Sequence, residues 1–204
     1  MKYVEKSSTR RLVQLALLIA ITLVMAFTPL GYFRTPVLSV SFLTVPVAIG
    51  AIVLGPTAGA LLGLTFGLTS FYDAFVGGGL KSALLAISPA GCFVVTVVAR
   101  VLCGWLCGLV FAGCKKLLHG GKSAYVLGAL SCPLFNTVFF MGFLMLLFYR
   151  SETVQNLCAK FGTANPLTLI LLMVGVQGLI EFAVCGVLGS VISLAVAKAL
   201  KLRK

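Results

Sequence analysis

Six long apolar runs, each separated from the next by a short polar stretch, set what this chain can become: residues 12–30, 40–54, 57–76, 90–114, 124–149 and 167–200. About 20 apolar residues carry an α-helix across the hydrocarbon of a bilayer. Backbone in lipid must satisfy its own hydrogen bonds, so continuous apolar runs are read as helices. With only 10% charged residues and a mean hydropathy of +1.15, little sequence is left outside the membrane. The expectation is an all-α polytopic membrane protein with six transmembrane helices, forming a single transmembrane domain over 1–204 with no appended catalytic domain. The first run exceeds a signal-peptide core and no small-residue cleavage site follows it, so it is expected to be retained.

A net charge of +12 would point to nucleic acid in a soluble protein. Here the positions of the charges give a different reading, and no nucleic-acid partner is expected. With six spans and a cytoplasmic N-terminus, the inner segments hold Lys2, Lys6, Arg10 and Arg11, then Lys115, Lys116 and Lys122, then Lys198, Lys201, Arg203 and Lys204. The outer loops hold only Arg34, Lys81, Arg150 and Lys160. By the positive-inside rule both termini are cytoplasmic, in a multi-pass protein of the cell membrane. The basic ends can also attract anionic lipid.

The third run has two flanks. Gly59, Gly63 and Gly67 recur every fourth residue, which on a helix makes one smooth face for a neighbouring backbone. Thr65, Thr69 and Asp73 recur at the same interval but project from roughly the opposite side. Either the threonines bond back to their own helix, or the polar flank meets protein, water or a ligand. Gly55-Pro56 before this helix is a tight turn in which Pro56 or Thr57 starts the helix. After it, Gly77-Gly78-Gly79 is either a lid over an outward pocket or a flexible connector. Residues 38–42 alternate apolar and polar, which predicts a short extended segment, and Pro46 with Gly50 predicts a kink or close crossing in the second run.

Few polar groups lie at membrane depth. Arg100 sits in the fourth run, Asn136 and Thr137 follow Pro133 in the fifth, and Gln177 and Glu181 lie one turn apart in the sixth. An arginine at that depth costs on the order of 3 kcal/mol, so it needs a carboxylate or water partner. Two readings are compatible: a structural Arg100–Glu181 salt bridge, and a ligand pocket with paired charges in which arginine clamps a carboxylate or phosphate. Seven cysteines, nearly all within the runs, predict free thiols; Cys92, Cys103, Cys107 and Cys114 share one helical face and read as small-residue packing rather than a metal site. Gly121-Lys122-Ser123 mimics the tail of a phosphate-binding loop, but Lys116 stands where its first glycine would fall. The sole histidine, His119, lies in a basic loop, so zinc, protease or phosphatase chemistry has no constellation and neither catalytic residues nor cofactors are expected.

A Gly-Pro turn feeding Gly-Leu-Thr-Phe-Gly-Leu-Thr-Ser-Phe, Ala99-Arg100-Val101-Leu102 opening into Gly104 and Gly108, Asn136-Thr137, and Glu181 together resemble the substrate-binding S components of energy-coupling factor (ECF) vitamin transporters, most closely the pantothenate type. Ala99 precedes the arginine where relatives often have proline, and Gln177 stands where asparagine is expected. The resemblance implies a bacterial subunit that captures a vitamin from outside, docks on a transmembrane coupling (T) protein and reorients as two ATPase subunits cycle. It implies docking through an Ala-xxx-Ala motif, matched by Ala16 and Ala20. For pantothenate, Arg100 would meet the carboxylate, and Asn136, Gln177 and the stripe of Thr65, Thr69 and Asp73 the hydroxyls and amide; Glu181 would hold Arg100 or accept from a ligand hydroxyl. Riboflavin, folate or another vitamin on the same fold is the nearest alternative. A small membrane enzyme acting without partners, or a scaffold indifferent to Arg100 and Glu181, are the alternatives of another class.

Overall fold

A computed structural model describes residues 2–29, 31–34, 39–77, 79–118, 121–162, 165, 168, 175 and 178–199; Gln177, His119, Gly78 and residues 200–204 lie outside that set. The elements are α1 (Lys2–Phe27), a hairpin of β1 (Tyr32–Arg34) and β2 (Ser39–Ser41), α2 (Thr44–Leu54), α3 (Pro56–Val76), α4 (Leu80–Ile87), α5 (Pro89–Leu117), α6 (Lys122–Phe148), α7 (Glu152–Lys160) and α8 (Gly178–Ala199). Among the described residues five helices are long and apolar enough to cross a membrane: α1 over Thr9–Phe27, then α3, α5, α6 and α8.

The second apolar run behaves differently from the other five. Its alternating start, Ser39-Val40-Ser41, pairs antiparallel with Tyr32–Arg34, so the helix begins only at Thr44 and has 11 residues. At 1.5 Å per residue that is about 16 Å, roughly half the hydrocarbon thickness. Its lower end is fixed: Arg11 Nη2 donates to the Leu54 carbonyl at 2.7 Å, and Gly55, at φ +98°, turns the chain straight into α3 with Pro56 at the first helical position. The N-terminus of α2 therefore stops about halfway up the bundle. Every residue of α2 except Val53 is buried, so it is the central post. Gly50 lets the Leu62 side chain of α3 press against it.

The glycine face of α3 lies against α5. A Cβ on Gly59 would strike the Gly104 carbonyl and one on Gly63 the Arg100 carbonyl, while one on Gly67 would come within 2.7 Å of the Val97 Cα. Gly104 and Gly108 return the contact, against Gly59 and Pro56. Two backbones thus run in contact over three helical turns, the approach that small residues permit in lipid.

The buried thiols set the vertical register of α5, α6 and α8. Cys107 Sγ donates to the Gly128 carbonyl at 3.3 Å, Cys103 to the Cys132 carbonyl at 3.1 Å, Cys132 to the Thr44 carbonyl at 3.5 Å and Cys185 to the Ala129 carbonyl at 3.5 Å. The last bond has a sequence cause: Pro133 has no N–H to give Ala129, four residues back, and the Cys185 thiol takes that place. All seven cysteines are free thiols, and these four pack in the bundle as small side chains. A second apolar cluster, with Leu84, Val95, Phe140, Leu144, Phe148 and Val154 at its centre, closes the hairpin end of the bundle beneath α4 and α7.

Candidate functional site

Directly above the thiol layer, toward the hairpin end, every helix that contributes to that layer carries a polar residue. Arg100 precedes Cys103 by one turn on α5, Asn136 follows Cys132 by one turn on α6, Glu181 precedes Cys185 by one turn on α8, and Ser41 precedes Thr44 at the top of α2. Because the thiols hold the helices in register, these four residues share one level, between the central core and the apolar roof. Arg100 is 6% exposed, Asn136 7%, Glu181 5% and Ser41 5%, so this is a buried polar layer rather than a wet rim.

Arg100 is held by α5 itself and by two rings. Between Val94 and Val98 the helix widens into a π turn, and the Ala99 N–H bonds to Val94, five residues back. The Val95 carbonyl receives Arg100 Nη1 at 2.5 Å. The guanidinium lies over Phe140, 4.6 Å from its centroid, and over Phe66 at 5.3 Å. A charged hydrogen bond contributes about 1.5–3 kcal/mol and a desolvated cation–π contact about 2 kcal/mol. Those magnitudes offset a burial cost of about 3 kcal/mol.

Glu181 Oε1 accepts the Ser41 backbone N–H at 2.6 Å, tying the hairpin to α8. Asn136 lies one turn from Phe140 on the same face of α6, and its Oδ1 has no hydrogen-bond partner in the structure. The same holds for Ser41 Oγ and for Ser70 Oγ, which sits one turn beyond Phe66 on α3. The threonine stripe divides. Thr65 returns its hydroxyl to the Leu61 carbonyl at 3.1 Å, and Thr69, buried, returns its own to Phe66 at 2.9 Å. Asp73 pairs with Lys81 of α4 at 3.0 Å. Ser82 Oγ adds a bond to the Ala74 carbonyl at 2.6 Å, so the glycine segment leads into a helix seated on the end of α3.

The structure therefore brings Arg100, Asn136 and Glu181 to one level and sets Asp73 nearer the hairpin end, while Gln177 lies outside the described residues. Ser41, Ser70, Phe66 and Phe140 were not singled out in the sequence. The signal for Phe66 and Ser70 was their four-residue spacing, and for Phe140 its position one turn after Asn136; nothing local marks Ser41. In the middle of the apolar span of α1, Ala16 and Ala20 are exposed on the bundle surface.

Chemically, a fixed cation, an amide oxygen and hydroxyls lie at the level of the N-terminal end of a half-length helix, and that end carries partial positive charge. Such a place suits an anion with neutral polar groups. No curated protein matches the chain. Residues 10–193 match the family described as ECF transporter, substrate-specific component. That match takes in α2 to α7, most of α1 and α8, and the whole polar layer, and the chain belongs to the family of substrate-specific components of ECF transporters.

Proposed function

We propose that this subunit captures pantothenate from outside the cell and releases it inward after docking on the T protein and its ATPases. The hairpin end, with α4 and α7, faces outward, and both termini are cytoplasmic, the side to which the basic residues of α1 and the 115–122 segment point. Arg100 takes the carboxylate in two-point fashion. Asn136, Gln177, which precedes Glu181 by four residues, and Thr69 serve the hydroxyls and amide, while Thr65 and Asp73 act within α3 and α4. Ala16 and Ala20 form the docking face.

One observation supports this reading above the others: Arg100, Asn136 and Glu181, buried on three separate helices, lie at the level where α2 stops. The test is a thermal-shift and calorimetric screen of the purified protein against a vitamin panel. A ligand at a hundred times its dissociation constant stabilises by about 2.7 kcal/mol. Pantothenate is expected to stabilise the wild type and to lose its effect in Arg100→Ala. A yellow chromophore copurifying with the protein would move the assignment to riboflavin.

A further inference from the structure

Native proteins leave few buried polar atoms unbonded, and each such atom asks for a cause. Three of them are Asn136 Oδ1, Ser41 Oγ and Ser70 Oγ. Asn136 shares a helical face with Phe140 and Ser70 shares one with Phe66, and the Arg100 guanidinium lies over both of those rings. Ser41 stands at the top of α2 on the same level. All three residues are more than nine-tenths buried, with Ser70 at 0% exposure. Leaving such groups unpaired costs about 1–3 kcal/mol each, a cost that a bound molecule with matching groups would remove.

We propose that Ser41 and Ser70 are ligand contacts which, with Asn136, read the neutral part of an anionic ligand, and that Glu181 is a positioning residue that holds Ser41 in place. This rests on the capture reading above. The chemistry narrows the ligand class. An amide oxygen can only accept, so Asn136 demands a hydroxyl or N–H, while the serine hydroxyls both donate and accept. The molecule that fits is a carboxylate or other anion with at least two hydroxyl or amide groups along its length. Glu181 meets the backbone of Ser41 rather than its hydroxyl. It thereby fixes the end of the hairpin to α8 and leaves Ser41 Oγ available to the ligand.

The test uses the full chain in detergent, with pantothenate as probe, and has two arms. In the first, Ser41→Ala and Ser70→Ala each lower pantothenate affinity roughly three- to tenfold, while the ligand-free protein unfolds at the same temperature or higher, since an unbonded hydroxyl has been removed. A serine with a merely structural role would do the reverse. In the second, hydrogen exchange at the Ser41 amide is followed without ligand: Glu181→Gln, which keeps an acceptor oxygen, stays protected, whereas Glu181→Ala exchanges at least tenfold faster. Unchanged affinity in both serine variants overturns the contacts, and equal protection in Glu181→Ala overturns the positioning role. A wild type that does not bind pantothenate overturns the vitamin reading and the contacts resting on it; the exchange arm, which needs no ligand, still judges Glu181.

Discussion

Arg100 shows how a single residue can be legible in kind and illegible in company. Its cost at membrane depth follows from the sequence alone, and so does the demand for partners. With so few carboxylates in the chain, Glu181 was the natural counterpart to name. Among the contacts the structure gives them, Arg100 has the Val95 carbonyl and two phenyl faces, and Glu181 has the Ser41 amide. The π turn over Val94–Val98 shifts a backbone amide to Val94 and leaves the Val95 carbonyl to the guanidinium. No residue in Val-Val-Thr-Val-Val announces such a turn. The contact with the rings depends on a planar cation, which lysine lacks. Arg100→Lys is therefore expected to keep the helix bundle folded and to lower ligand affinity more than tenfold, measured by calorimetry. Affinity within twofold of wild type would mean that charge alone suffices and that the stacked geometry has no part in binding.

At the scale of elements, periodicity gave directions but not partners. The four-residue recurrence of Gly59, Gly63 and Gly67 is enough to predict a backbone-to-backbone contact, and the recurrence of Gly104 and Gly108 offers a match; only the structure shows that the two ladders meet. The opposite flank was just as regular, yet Thr65 and Thr69 bond within α3, because a hydroxyl in lipid finds a carbonyl one turn back at no ordering cost. The second apolar run was legible as apolar and as starting in extended form. That the strand would leave a helix of half length, and so create an end at mid-depth, was not. Two substitutions separate a packing glycine from an idle one. Gly63→Val places a Cβ on the Arg100 carbonyl, so α3 and α5 must part, with a cost of about 1–3 kcal/mol or more. Gly142 on α6 has nothing within 4 Å of its added Cβ. Gly142→Ala should leave stability unchanged or raise it by up to about 1 kcal/mol. Thermal unfolding in detergent decides; equal midpoints for the two variants would remove the ladder from the account of this fold.

The whole molecule has one helix that stands apart from the packing of the rest. Only 6% of the best apolar window of α1 is buried, against 50% for α5. Leu12, Val13, Leu17, Val24 and Phe27 are each more than 60% exposed. Exposed leucine and valine mean nothing in lipid, since acyl chains are as apolar as they are. What distinguishes this surface is that Ala16 and Ala20 interrupt it at one-turn spacing, leaving a shallow place where a partner's backbone can come close. The polar layer lies on the other helices and includes none of the described side chains of α1, so the proposed pocket and the proposed docking face occupy separate parts of one chain. That separation makes the roles testable independently. Ala16→Trp should abolish uptake by cells that supply the T protein and ATPases, while the purified variant binds the vitamin within about twofold of wild type. Bulk on an outward face costs little when the face meets lipid and is prohibitive when it must meet a helix at backbone distance. If uptake and binding fell together, α1 would belong to the pocket, and the docking face would have to be sought elsewhere on the bundle.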